Sequence, residues 1–281
     1  MVWNINGKKY DLTKFLDLHP GGKNILQLTE NENDLTVAFE VYHSFSNKKY
    51  INKILETYEI KEEKQDINEL KENNKKYDFT NYNKLVEKIK KIYPNLRSIK
   101  SSNFFVIQNI TVFLLYAYFF YIGFFSDNSL KIKCLFSFLA GLFYVSLGFN
   151  IMHDASHFAI SIKQSTNYTL NKLWHGWGLW NDKIWFYHHV LNHHSYTGEI
   201  KKDPDLYHLK PFYNKTLSDK KQLFFNNTHP LPFLLTFLPG GYFGQIFSYL
   251  VSRNKKKIFQ IKIPDKNMYD NYDIFLMCLH P

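Results

Sequence analysis

Two histidine clusters hold the residues of this sequence that could do chemistry. The first is "HDASH" at residues 153–157, and the second is "HHVLNHHSYTG" at residues 188–198. Residues four apart share a helix face, so His153 with His157, and His189 with His193, are spaced to bind a metal through paired imidazoles. Neutral imidazole suits iron or zinc, whereas Ca²⁺ and Mg²⁺ prefer oxygen ligands. We therefore predict an iron or zinc site with five candidate ligands: His153, His157, His189, His193 and His194.

Asp154 lies within the first cluster and is expected to orient a ligand histidine by accepting a hydrogen bond from it. For one such cluster, solvated or interfacial histidines are an alternative explanation. Two clusters beside apolar segments favour a metal site, because polar groups at a membrane boundary are costly and usually functional.

A second pair of candidate ligands lies near the N-terminus. His19 is followed by Pro20, Gly21 and Gly22 in "YDLTKFLDLHPGG", and His43 comes 24 residues after His19 in "AFEVYHS". A haem with two axial imidazoles needs histidines on opposite walls of a pocket. The proline fixes a turn, and the glycines allow the backbone to approach a porphyrin closely. The apolar residues expected to line such a pocket are Phe15, Leu26 and Phe39.

Two long apolar stretches position these clusters. Residues 104–125 and 134–152 contain no charged residue and are 22 and 19 residues long. About 20 apolar residues span the hydrocarbon layer of a bilayer. Buried core helices are the alternative, but such helices are rarely so uniformly apolar. We predict two transmembrane helices joined by a short hairpin.

The net charge of +10 does not require a nucleic-acid partner, because much of the excess lies beside the apolar stretches. Basic residues flanking a span favour the cytosolic side. We therefore predict a multi-pass integral membrane protein whose residues 1–100 and histidine clusters face the cytosol. A further apolar stretch, residues 231–251, is interrupted by proline and glycine and is predicted to form an interfacial helix or a bent re-entrant segment. The basic residues before the first span are Lys88, Lys90, Lys91, Arg97 and Lys100.

Together these motifs resemble two known families. Residues 2–60, with "YDLTKFL", "HPGG", "AFE" and "ILETYEI", resemble the cytochrome b5 family. "NIMHDASHFAIS", the second histidine cluster and "DPDL" at residues 203–206 resemble the membrane fatty-acid desaturases. This fusion is typical of front-end desaturases. The resemblance implies an α+β cytochrome b5-like domain (1–61), a linker with a juxtamembrane helix (62–100), and a partial all-α membrane desaturase domain (101–281).

The resemblance also implies a function. A haem b held by His19 and His43 would relay electrons from a cytochrome b5 reductase-like donor to a diiron centre. That centre would use O₂ to remove two hydrogens from an acyl chain of a membrane lipid or acyl-CoA. An endoplasmic-reticulum-type membrane is the expected location.

The third histidine motif of the desaturases, Gln-x-x-His-His, does not occur in this sequence. A partial ligand set binds metal weakly. We therefore expect the chain to be truncated before that motif, and to be an incomplete catalyst unless a separate polypeptide complements it. The alternatives are a membrane-anchored b-type haem electron-transfer protein with a relic desaturase core, and a hydroxylase on the same diiron scaffold.

Overall fold

The structure is a computed structural model, and it describes residues 1–61, 77–177, 181–199, 202–206, 257–258, 261–262 and 271–278. Residues 62–76 of the predicted linker lie outside the described residues, and the predicted interfacial helix over 231–251 lies wholly outside them. The chain divides into two compact units. The first comprises residues 1–100 with 162–165, and the second comprises residues 101–161 with 166–281.

The first unit begins with a small antiparallel hairpin. Strand β1 (Trp3–Ile5) pairs with β2 (Lys8–Tyr10). The turn residues Asn6 and Gly7 both have positive φ, of 52° and 72°. An Asn-Gly pair in this conformation forms the tight turn whose twist matches that of two flanking strands.

Helices pack around this hairpin. They are a 3₁₀ helix (Thr13–Leu18) and the α-helices α1 (Lys23–Leu28), α2 (Thr36–Tyr42) and α3 (Lys48–Tyr58). The indole of Trp3 is 1% exposed and donates to the carbonyl of Leu26 at 3.0 Å. Aliphatic and aromatic residues of the hairpin and helices complete this core: Ile5, Tyr10, Leu12, Leu35 and Leu55. The resulting α+β unit agrees with the predicted fold class.

Helix α4 (Thr80–Ile92) occupies the stretch predicted to form an amphipathic helix. Its last turn carries Lys90 and Lys91, where positive charge interacts favourably with the C-terminal end of the helix dipole. A short 3₁₀ helix, Leu96–Ile99, follows it.

Two long apolar helices form the body of the second unit. They are α5 (Asn103–Phe124) and α6 (Leu130–Leu147), and they pack against each other as an antiparallel hairpin. A β-carbon on Gly123 would lie 2.9 Å from the backbone nitrogen of Ser137, so the missing side chain allows this close approach.

The stretches Leu96–Phe124 and Leu130–Ser156 are long and apolar enough to cross a membrane. Only 11% of each apolar window is buried within the protein. A core helix of a soluble protein would bury most of such a surface, so this exposure favours the lipid-facing alternative of the two predicted from sequence.

The rest of the second unit carries the histidine clusters. Helix α6 continues as a π-helical segment (Gly148–His153) and a short α-helical turn (Asp154–Ser156). Next come α7 (Gln164–Trp177), α8 (Asp182–Trp185) and a π-helix (Phe186–His193). The remaining elements are a 3₁₀ turn (Pro204–Leu206), the paired two-residue strands β3 (Lys257–Ile258) and β4 (Ile261–Lys262), and α9 (Asn271–Cys278). The unit is mostly helical, as predicted, although this small strand pair was not expected.

Candidate functional site

The two N-terminal candidate ligands face each other in the first unit. The ring centres of His19 and His43 are 6.2 Å apart. Two imidazoles on opposite sides of one metal, each with a metal–nitrogen distance of roughly 2 Å, have ring centres roughly 6 Å apart. The spacing of these rings therefore fits a haem iron between them.

Backbone carbonyls fix both rings. The Nδ1 of His19 lies 3.2 Å from the Gly22 carbonyl oxygen, and the Nδ1 of His43 lies 2.8 Å from the Phe39 carbonyl oxygen. A carbonyl only accepts, so each Nδ1 carries the proton and each Nε2 keeps a lone pair for a metal. Burial lowers the pKa of both rings, which keeps them neutral near pH 7.

Two glycines shape the loop that holds His19. A β-carbon on Gly21 would lie 2.6 Å from the Cε1 of His19, so only glycine leaves room for this ring. Gly22 has a φ of +89°, a conformation that side-chain-bearing residues rarely adopt. Two of the three residues predicted to line the pocket contact the histidines. The ring centre of Phe15 is 6.0 Å from that of His19, and the ring centre of Phe39 is 4.5 Å from that of His43. The third, Leu26, is buried in the core of this unit.

The first histidine cluster lies where α6 and its π-helical extension end. The amide of His157 donates to the carbonyl of His153 at 3.2 Å, and their ring centres are 4.7 Å apart. The Nδ1 of His153 lies 3.1 Å from an oxygen of Asp154. Phe158 then stops the helix by taking a φ of 58°. The predicted pair thus shares one face, and Asp154 lies where an orienting carboxylate is expected.

The second cluster departs from the predicted α-helical spacing. Residues 186–193 form a π-helix, and the amide of His194 donates to the carbonyl five residues earlier, that of His189. As a result the Nε2 atoms of these two histidines are 3.0 Å apart. The expected pairing of His189 with His193 gives instead two stacked rings with centres 5.4 Å apart. An i, i+5 pair therefore replaces the i, i+4 pair at the centre of the site, since a π-helix has more residues in each turn.

Four of the five predicted ligands converge. Their ligand nitrogens lie within 4.8 Å of one another, in a set formed by His153, His157, His189 and His194. Two nitrogens bound to one metal at roughly 2 Å and at right angles lie roughly 3 Å apart, which matches the 3.0 Å between His189 and His194. The nitrogen-only donor set suits iron or zinc.

Burial and neighbouring imidazoles lower the pKa of three of these four rings. Burial, followed by the neighbouring His194 and His153, lowers the pKa of His157 to about 3. The same two causes, burial first and then neighbouring imidazoles, lower the pKa of His189 and His194. Neutral imidazoles have the lone pairs that metal binding requires.

The fifth predicted ligand, His193, belongs to a second group with His189 and Asp205. Its Nδ1 lies 2.9 Å from an oxygen of Asp203 and 3.5 Å from one of Asp205. Asp205 also lies 2.6 Å from the Nε2 of His188. His188 therefore directs this nitrogen to a carboxylate.

A profile of the fatty acid desaturase family matches residues 132–279, which is 148 of the 281 residues. The chain belongs to the fatty acid desaturase family. A second profile, the cytochrome b5-like haem/steroid binding domain, matches residues 1–62 of this desaturase-family chain. Desaturases of this family are membrane-bound proteins of lipid metabolism, and the cytochrome b5-like domain implies haem.

This desaturase-family chain is similar to several desaturases. It is 30% identical to acyl-lipid (8-3)-desaturase B of Dictyostelium discoideum, over 72% of this chain and 42% of that protein. It is also 30% identical to Delta(5) fatty acid desaturase A of the same organism, over the same shares. It is 27% identical to an acyl-lipid (8-3)-desaturase of Mortierella alpina, over 74% of this chain and 46% of that protein. The chain thus spans less than half the length of these relatives, and no solved structure matches it.

Sequence reasoning did not assign roles to three residues beside the candidate metal-binding histidines of this desaturase-family chain. Trp185 stacks on His189, with ring centres 4.2 Å apart, and its indole donates to the hydroxyl of Ser156 at 3.0 Å. Asp203 and Asp205 are the others. The signals were present, because Trp185 precedes His189 by one helical turn and both aspartates lie in "DPDL".

Proposed function

We propose that this chain provides the haem domain and the first two histidine clusters of a front-end acyl desaturase. The observation that carries the proposal is the convergence of four cluster histidines, from two segments far apart in sequence, within a family of desaturases. When bound, the haem would deliver single electrons and the non-haem iron would use O₂ to remove two hydrogens from an acyl chain.

The proposed ligands follow from the donor atoms. His19 and His43 would hold haem b through Nε2, since a carbonyl accepts from each Nδ1. The non-haem iron ligands would be the cluster histidines, with Asp154 orienting His153. The proposed non-haem iron ligands are His153, His157, His189, His193 and His194.

The substrate and partners proposed are those of the family. An acyl chain of a membrane lipid or acyl-CoA would reach the histidines from the bilayer, which the exposed apolar surfaces of α5 and α6 support. A cytochrome b5 reductase-like protein would reduce the haem from the cytosol, so the haem domain and the clusters would face that side of an endoplasmic-reticulum-type membrane.

Total iron per haem in the purified full chain tests the proposal. We expect more than one iron per haem, with one iron in the haem and the excess bound by the two histidine clusters, whose ligand set is partial. The matched control carries His189→Ala and His194→Ala, and its ratio should return to about one. A ratio of about one in the unmodified chain would contradict the desaturase proposal and leave an electron-transfer haem protein.

A further inference from the structure

Asp203 is a buried carboxylate with three nitrogen neighbours at hydrogen-bond distance. It is 2% exposed. One oxygen, Oδ2, accepts from the backbone amide of Gly198 at 2.7 Å. The other, Oδ1, accepts from the backbone amide of Asp205 at 2.9 Å and lies 2.9 Å from the Nδ1 of His193. Both oxygens are therefore committed as acceptors.

This arrangement determines which nitrogen of His193 carries the proton. Backbone amides can only donate, so the carboxylate faces donors on both oxygens. The Nδ1 of His193 must then also donate, and its Nε2 keeps the lone pair. The hydrogen bonds from the two backbone amides hold the carboxylate of Asp203 in place. The carboxylate in turn fixes the ring orientation of His193.

The loop between His193 and Asp203 folds so that the two side chains meet. Gly198 has a φ of +79°, which lets the chain after the π-helix reverse direction. Its amide then points at Asp203, ten residues after His193. Asp205, by comparison, lies 3.5 Å from the same ring nitrogen and 2.6 Å from His188. Asp203 is thus the carboxylate nearer to His193.

We propose that Asp203 is a positioning residue that holds His193 in the tautomer and orientation needed to bind a metal through Nε2. The inference rests on the proposed function, because it takes His193 as a ligand. It assigns to the buried aspartate at the start of "DPDL" a role that acts entirely through one imidazole.

Asp203→Asn separates this role from that of a general structural residue. An amide has one acceptor oxygen and one donor NH₂ group, so it cannot accept on both sides. In either orientation the NH₂ group of the variant faces a donor, which is the amide of Gly198 or else the amide of Asp205 together with the Nδ1 of His193. The first orientation displaces the side chain from the loop that holds it, and the second moves the proton of His193 to Nε2, where it blocks metal binding. Loss of such an outer hydrogen bond typically weakens metal affinity by about 10–100-fold.

The experiment measures Co²⁺ binding to the full, haem-loaded chain in detergent, by equilibrium dialysis and elemental analysis. Four proteins form a double-mutant cycle: the unmodified chain, Asp203→Asn, His193→Ala and the double variant. Asp127→Asn, an exposed change of the same charge in the α5–α6 hairpin, is the matched control. The thermal transition of each metal-free protein is recorded beside the affinity.

We expect Asp203→Asn to weaken Co²⁺ binding about 10–100-fold, Asp127→Asn to leave it unchanged, and Asp203→Asn to add no loss in the His193→Ala background. Equal affinity of Asp203→Asn and Asp127→Asn would overturn the inference, as would an undiminished loss in the His193→Ala background. If Asp203→Asn abolishes the thermal transition, Asp203→Ser replaces it in the same cycle, since its hydroxyl still accepts from a backbone amide. An unmodified chain that binds no Co²⁺ would overturn the proposed metal site together with the inference.

Discussion

The two units hold their imidazoles in different ways. In the first, the Nδ1 of His19 and that of His43 each meet a backbone carbonyl within four residues along the chain. In the second, side chains support the rings, as with Asp154 beside His153 and Asp203 beside His193. The partner of His193 comes ten residues later in sequence.

This difference has a physical consequence. A carbonyl acceptor forms whenever its loop folds, so the orientation of the haem ligands depends on short-range structure. The acceptor for His193, Asp203, lies ten residues away and reaches the ring only after the intervening loop has folded, and a single substitution can remove it. We therefore expect the haem pair to tolerate changes that disable the non-haem site.

Removal of one ligand from each unit gives the largest expected effects. His43→Ala should abolish the b-type haem absorption, because the iron loses an axial imidazole. His189→Ala should abolish non-haem metal binding, since this ring belongs to both candidate ligand groups. Absorption spectra and elemental analysis of both variants check the expectation.

The same pair of variants tests whether the units are independent. His43→Ala should leave the Co²⁺ affinity of the second unit unchanged, and His189→Ala should leave the haem spectrum unchanged. Loss of both haem and Co²⁺ binding in either variant would show that the two sites depend on each other.

Sequence alone predicted the features that arise from local spacing. The proline and glycines after His19 indicate a ligand loop, and the apolar runs indicate the α5–α6 hairpin. The pairing of His153 with His157 also follows from helical periodicity. Each of these depends on residues within a few positions of one another, where backbone geometry restricts the outcome.

The features that sequence did not predict depend on register or on distant contacts. The π-helix shifts the partner of His189 from the fourth to the fifth residue, and α-helical spacing cannot anticipate this. Trp185 and Ser156 are 29 residues apart, so no periodicity links them. Asp203 contacts His193 only because the chain reverses at Gly198. The sequence alone does not predict the direction of this turn.

A smaller effect is expected from the glycines of the haem loop. Gly21→Ala would put a β-carbon 2.6 Å from the ring of His19, so the ring must move from its place opposite His43. A shift of this kind that costs about 1.4 kcal/mol weakens haem binding about tenfold. The rate of haem transfer from the chain to apomyoglobin measures this loss.

Gly22→Ala is the comparison for that change. A β-carbon there meets nothing within 4 Å, but the φ of +89° makes the substitution costly for the backbone. Such strain is of order 1–3 kcal/mol. Gly22→Ala should therefore lower the thermal midpoint of the haem-free domain more than Gly21→Ala does, while Gly21→Ala changes haem release more. The reverse ranking would mean that the ring of His19 is not what Gly21 accommodates.

The smallest expected effect concerns Trp185, which connects the two histidine clusters. Its ring stacks on His189, and its Nε1 donates to Ser156, whose hydroxyl donates to the carbonyl of His153 at 2.6 Å. Trp185→Phe keeps an aromatic ring and removes the donor. A hydrogen bond of this kind contributes about 1 kcal/mol, so Co²⁺ affinity should fall about fivefold while the haem spectrum stays the same.

Ser156→Ala removes the same hydrogen bond from the other side. If the bond aligns the clusters, Trp185→Phe in the Ser156→Ala background should cause little further loss of Co²⁺ affinity. Additive losses would mean that the indole acts through its stacking on His189 alone. Coupled losses would mean that the hydrogen bond between Trp185 and Ser156 helps to fix the relative position of the two clusters.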